Sequence, residues 1–287
     1  MKSASFGLAS ILAISLACGP STLPSPRSGQ AATPASLATP LPRFFENAGA
    51  RLAFSLDLPP GRGPFPAVVT AHGSGRITRD QLRWLSSHFT QLGFAVLRFD
   101  KRGVGESTGE YSGVGVGNGD RMFGLLAGDV AAGVRFLRTR PEIDGRRIGL
   151  AGNSQAGWIL PHAARELGDA AFMVLISGPV CSIGLENYYS DLAEWSDRPL
   201  EEVYAQLPNF KGPHGYDPVP VLQALRTPGL WLLGVEDRSI PVRDTIVNLK
   251  ALAASGHPFE WRTYEGQGHD LSPAIWNDIG PWVSKFK

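Results

Sequence analysis

From about residue 44 onward, short and nearly continuous apolar runs alternate with longer amphipathic stretches, and this rhythm limits the fold more than any other feature of the chain. The run 52–58 alternates apolar with polar residues. Runs 67–71, 95–99, 148–151, 172–176 and 230–235 are almost wholly apolar, as strands buried on both faces are, and 259–264 closes the series. Helical periodicity falls between them, at 79–91, 122–138, 155–167, 243–254 and 273–286. The pattern predicts one α/β domain over 44–287, a mostly parallel, doubly wound sheet flanked by helices. Residues 182–226 break the rhythm with Pro208, Pro213, Pro218 and Pro220, and are a candidate cap.

Charge narrows the function. With 27 Lys and Arg against 26 Asp and Glu, the net charge is +1 and no basic cluster offers a footprint for nucleic acid. The two cysteines, Cys18 and Cys181, lie in no CxxC or Cys/His spacing, so neither a disulfide framework nor a metal site is expected. No cofactor is expected either. The glycines at 103 and 105, and those at 113, 115, 117 and 119, lack the spacing of a nucleotide loop and are read as surface loop.

The first residues have a different design. Lys2 precedes an uncharged, mostly apolar run over 6–17, the layout of a signal peptide spanning 1–18 and too short to cross a bilayer, which takes roughly 20 apolar residues. Cys18 follows Leu16-Ala17 and precedes Gly19, which resembles a bacterial lipobox with Ser15 in place of the usual leucine. Export to the periplasm or cell envelope is the expectation, with membrane attachment through a lipidated Cys18; a plain cleaved leader is the alternative. The segment 19–43 is rich in Pro, Ser, Thr and Ala and reads as an extended tether.

The chemistry is written at the ends of the strands. Run 148–151 passes through Gly152-Asn153-Ser154-Gln155-Ala156 into a helix, which places Ser154 on a sharp strand-to-helix turn with small residues two positions to either side. Such a turn raises the hydroxyl above the sheet. After 67–71 comes His72-Gly73-Ser74-Gly75, whose free backbone N–H groups could join that of Gln155: the Ser74 and Gln155 amides are the candidate oxyanion hole, and His72 is read as structural. After 230–235 come Glu236 and Asp237, of which the shorter Asp237 is taken as the acid. After 259–264 comes His269, the candidate base, with Asp270 beside it as a competing acid. His257 precedes the same strand and lies about 20 Å away at the opposite edge. His88, His162 and His214 fall in helices or irregular chain, away from the strand ends.

With Ser154, Asp237 and His269 in this order, the sequence resembles the α/β-hydrolases of the dienelactone hydrolase and prolyl-oligopeptidase-like branch, particularly small serine esterases. The resemblance covers nearly all of 44–287. It includes Phe99-Asp100-Lys101-Arg102-Gly103-Val104-Gly105-Glu106-Ser107, Arg140-Pro141-Glu142-Ile143-Asp144 and Tyr216-Asp217-Pro218. It implies an α/β-hydrolase fold and a serine hydrolase cleaving small-molecule carboxylic esters through an acyl-enzyme. Asp100 and Arg102 are read as scaffold. A small aminopeptidase or thioesterase on the same triad, and a non-catalytic exported binding lipoprotein, are the alternatives. A neutral imidazole is required of the base, so activity should climb through a pH of about 6.5.

Overall fold

The structure is a computed structural model that describes residues 44–194 and 196–287. The leader 1–18, its Cys18 and the tether 19–43 lie outside the described residues. Along the chain come β1 (Phe44–Asn47), β2 (Ala50–Asp57), β3 (Phe65–Ala71), α1 (Arg83–Gln91), β4 (Ala95–Phe99), α2 (Gly119–Leu137), β5 (Ile143–Asn153) and α3 (Ala156–Leu167). They are followed by β6 (Met173–Ile176), α4 (Ile183–Ala193), α5 (Leu200–Gln206), α6 (Val219–Gln223), β7 (Gly229–Gly234), α7 (Val242–Ala254), β8 (Phe259–Tyr264) and α8 (Trp276–Ser284). The eight strands form one sheet in the order β1-β2-β4-β3-β5-β6-β7-β8, with β1 and β2 antiparallel to their neighbours and the rest parallel. This is the α/β-hydrolase fold.

The apolar runs are continuous because the central strands have no exposed face. Val69, Leu97 and Leu150 point into a core closed by Phe123 and Val130 of α2 and Leu160 of α3. Val68, Val96 and Val174 point the other way, onto Leu85 and Phe89 of α1 and Ile279 and Val283 of α8. Each core-facing leucine or valine buried in this way stabilises the fold by roughly 1.5–3 kcal/mol relative to exposure.

Three features depart from the sequence expectation. Strand β1 was not anticipated: four residues are too few to show a period, and it exists by pairing with β2 across a tight Ala48-Gly49 turn in which both residues have positive φ. The stretch 79–91 divides into a 3-10 turn over Arg79–Leu82 and α1, and Gly119, assigned to a loop, is the first residue of α2. The insertion 182–226 holds α4, α5 and α6. The first two share a small core of Tyr189, Ala193, Val203 and Leu207.

Candidate active site

Parallel strands end on a common edge, and β3, β5, β7 and β8 deliver their following turns there. Strand β5 ends at Asn153 and α3 starts at Ala156, so Ser154 must reverse the chain within two residues. It does so at φ 53°, a left-handed conformation that costs a non-glycine residue of order 1–3 kcal/mol. The turn is held by Ser154 N–H donating to the Ile176 carbonyl at 2.8 Å and by Gly157 N–H donating to the Ser154 carbonyl at 2.8 Å. Gly152 is obligatory, because a Cβ there would lie 2.6 Å from the Ala156 methyl and 2.8 Å from the Ala71 carbonyl oxygen. The alanine at position 156 is therefore tolerated through the glycine opposite it.

Strand β7 ends at Gly234, and the chain turns through Glu236 and Asp237 beside the Gln267-Gly268-His269 turn that follows β8; Glu236 N–H donates to the Gln267 carbonyl at 2.9 Å. Asp237 is fully buried. Its Oδ1 accepts from the Ser239 and Ile240 amides at 2.7 and 3.0 Å, and its Oδ2 from His269 Nδ1 at 2.8 Å. A carboxylate can only accept, so the hydrogen sits on Nδ1 and Nε2 is left as the basic nitrogen. Burial lowers the histidine pKa, but the Asp237 hydrogen bond and charge together outweigh it and hold the group above its ordinary value. Asp270 is not the partner of the ring. The His269 carbonyl in turn accepts from Ser177 Oγ at 2.7 Å, and Ser177, following β6, also has positive φ at 49°.

Ser154 and His269 line one cavity of about 260 Å³ with Gly73, Ser74, Ile77, Gln81, Leu82, Trp84 and Asn153. Among the described residues no direct hydrogen bond joins the hydroxyl to the ring in this conformation. The turn after β3 packs closely against the serine, since a Cβ on Gly73 would lie 3.6 Å from Ser154 Cβ. Across Trp84, Asn153 and His269 lies a second cavity of about 200 Å³, walled by Ile176, Leu271 and Ile275. Neither cavity is lined by the insertion 182–226. The insertion instead grips the loop of the acid: Tyr189 OH donates to the Asp237 carbonyl at 2.6 Å, and Arg238 donates to the carbonyls of Ala193, Ser196 and Arg198 at 3.0–3.2 Å.

The remaining histidines fall where their positions implied. His72 donates from Nε2 to the Phe99 carbonyl at 2.6 Å, and burial, aided by the charge of Lys101, pushes its pKa down to about 3, so it stays neutral. His257 engages the Leu225 carbonyl beyond the opposite strand ends. Asp100 accepts from the Arg79 and Glu106 amides at 2.7 and 2.9 Å and from the Arg79 guanidinium, while Arg102 pairs with the fully buried Asp129, so both side chains are engaged in bracing the turn after β4. No group of three or more His, Cys, Asp or Glu side chains among the described residues is arranged to hold a metal ion.

The sequence profile of the prolyl oligopeptidase family matches residues 80–276, which span the candidate serine, acid and base. The chain belongs to that family. It is 25% identical over 224 residues to the acylamino-acid-releasing enzyme of Rattus norvegicus, covering 75% of this chain and 30% of that one. It is 31% identical over 115 residues to an Escherichia coli protein known only as an uncharacterized 31.7 kDa protein in the traX-finO intergenic region, covering 40% and 38%. The chain thus spans between 30% and 38% of the length of these relatives. In structure it resembles an esterase of Pyrococcus furiosus (TM-score 0.59, 19% identity, 82% of this chain and 84% of that one). It also resembles the acetyl xylan esterase from Paenibacillus sp. R4 (TM-score 0.58, 21% identity, 83% and 81%). Family and fold agree with the eight-stranded α/β-hydrolase sheet described above.

Proposed function

We propose that this protein is a serine hydrolase that cleaves small carboxylic esters through an acyl-enzyme, with Ser154 as nucleophile, His269 as base and Asp237 as its orienting acid. The observation that carries the reading is the His269–Asp237 hydrogen bond at 2.8 Å, on a ring that shares its cavity with the strained Ser154. Ser154 Oγ adds to the ester carbonyl as its proton passes to His269 Nε2. The oxyanion is received by the Ser74 and Gln155 amides; the C–O bond to the alcohol breaks and the alcohol leaves with the proton from Nε2. Water repeats the sequence, His269 taking its proton and returning it to Ser154 as the acid departs.

The two cavities meeting at His269, of about 260 and 200 Å³, give a small-molecule ester room beside the candidate serine and base. Aminoacyl amides are the second reading, favoured by the similarity to acylamino-acid-releasing enzymes over three quarters of the chain. A fluorophosphonate should label wild type at Ser154 and leave Ser154→Ala unlabelled, and turnover of p-nitrophenyl butyrate should drop by about 10⁴-fold or more in that variant. Labelling or normal turnover in Ser154→Ala overturns the assignment. Faster cleavage of acetylalanyl p-nitroanilide than of the ester by wild type moves the substrate class to amides.

A further inference from the structure

The turn after β3 is held from behind by a residue that the triad does not use. Lys101, the second residue after β4, is completely buried, and its ammonium donates to the Gly73 carbonyl at 2.7 Å, the Gly75 carbonyl at 2.8 Å and Gln155 Oε1 at 3.3 Å. Its remaining side faces the ring of Tyr111, 4.4 Å from the centroid. These acceptors are not a random set. Gly73 and Gly75 flank Ser74, and Gln155 follows Ser154, so one cation ties together the two residues whose amides form the candidate oxyanion hole.

Peptide geometry gives the tie a direction. The Gly73–Ser74 bond is trans, and in a trans peptide C=O and N–H point to opposite sides. Drawing the Gly73 oxygen toward Nζ therefore turns the Ser74 N–H away from Lys101, in a turn whose Gly73 Cα lies against Asn153 and Ser154. The same hydrogen bond polarises the peptide and strengthens that N–H as a donor. A fixed positive charge behind the turn also favours the negative charge that develops on the substrate oxygen.

We propose that Lys101 is a positioning residue for the oxyanion hole, acting through the Gly73–Ser74 peptide and the Gln155 side chain to hold both donors ready for the tetrahedral intermediate. The proposal rests on Ser154 being the nucleophile. It predicts that the protonated lysine is the working form. Burial pushes the Lys101 pKa down to about 7, against the three oxygen acceptors that only the ammonium can serve. The neighbouring ionisable groups are accounted for: His72 is neutral, Tyr111 presents its ring face, Asp100 is taken by Arg79 and the Glu106 amide, and Arg102 by Asp129. None supplies a carboxylate to Nζ.

The test is steady-state hydrolysis of p-nitrophenyl butyrate from pH 5 to 10.5 by wild type and Lys101→Met, with circular dichroism confirming the fold at each pH. Wild-type kcat should rise as His269 loses its proton and fall again on the alkaline side. Lys101→Met should show kcat lower by about 10²-fold, the scale of a lost oxyanion donor, with KM changed less than about threefold and no alkaline fall. Turnover within twofold of wild type, or an alkaline limb that persists in Lys101→Met, overturns the proposal. Should that variant fail to fold, the wild-type profile decides alone: turnover flat to pH 10.5 in a folded enzyme overturns it. Failure of the underlying reading would look different, since wild type would then escape fluorophosphonate labelling at Ser154.

Discussion

Two adjacent carboxylates compete for one histidine, and the backbone settles the competition. Glu236 gives its amide to the Gln267 carbonyl, whereas Asp237 is turned inward, where two amides and the ring occupy its oxygens. The same contact moves the working pH. Because Asp237 holds His269 above its ordinary value near 6.5, the neutral base is reached later on raising pH, and the ascending limb of kcat/KM should have its midpoint above 6.5. A midpoint at or below that value, measured on a p-nitrophenyl ester, would contradict the arrangement, and Asp237→Asn should shift the limb downward while slowing turnover. Ser154, Asp237 and His269 were legible because each follows a recognisable strand in a short polar turn. Lys101 and Ser177 were not. A lysine between an aspartate and an arginine reads as solvated surface, and burial is a tertiary fact; the positive φ of Ser177 likewise leaves no trace in residue type.

At the scale of elements, the turn after β4 shows how charge is used in place of apolar packing. Arg102 and Asp129 are joined by two hydrogen bonds with side chains 5% and 0% exposed, and Asn47 adds a third contact to the carboxylate at 2.8 Å. Removing one partner strands the other, so Arg102→Leu should cost about 3–5 kcal/mol in urea unfolding, while replacing both residues with apolar ones of similar volume should cost far less. Equal losses from the single and double replacements would show that the pair is not coupled. The buried strands were legible from continuous apolar runs, and the long helices from their period. Short elements were not: β1 owes its existence to its partner across the hairpin, and the 3-10 turn ahead of α1 carries the same apolar spacing as the helix it precedes.

For the molecule as a whole, the order of elements was enough to give the fold, because alternating buried runs and amphipathic helices admit few arrangements other than a covered parallel sheet. The site's location followed from that topology. Cys18 lies outside the described residues; we propose lipid attachment there on the strength of the lipobox resemblance, and among the described residues no helix is long and apolar enough to cross a membrane. Radiolabelled palmitate should enter wild type and be absent from Cys18→Ser, which should leave the membrane fraction; a variant that stays membrane-bound refutes the attachment. The grip of the 182–226 insertion on the Asp237 loop has its own consequence. A hinge that swung α4 outward would pull on the very peptide that presents the acid, so opening on that side would disarm the base at the moment a substrate entered. Entry past Trp84, which lines both cavities at His269, would leave that grip undisturbed and the acid in place.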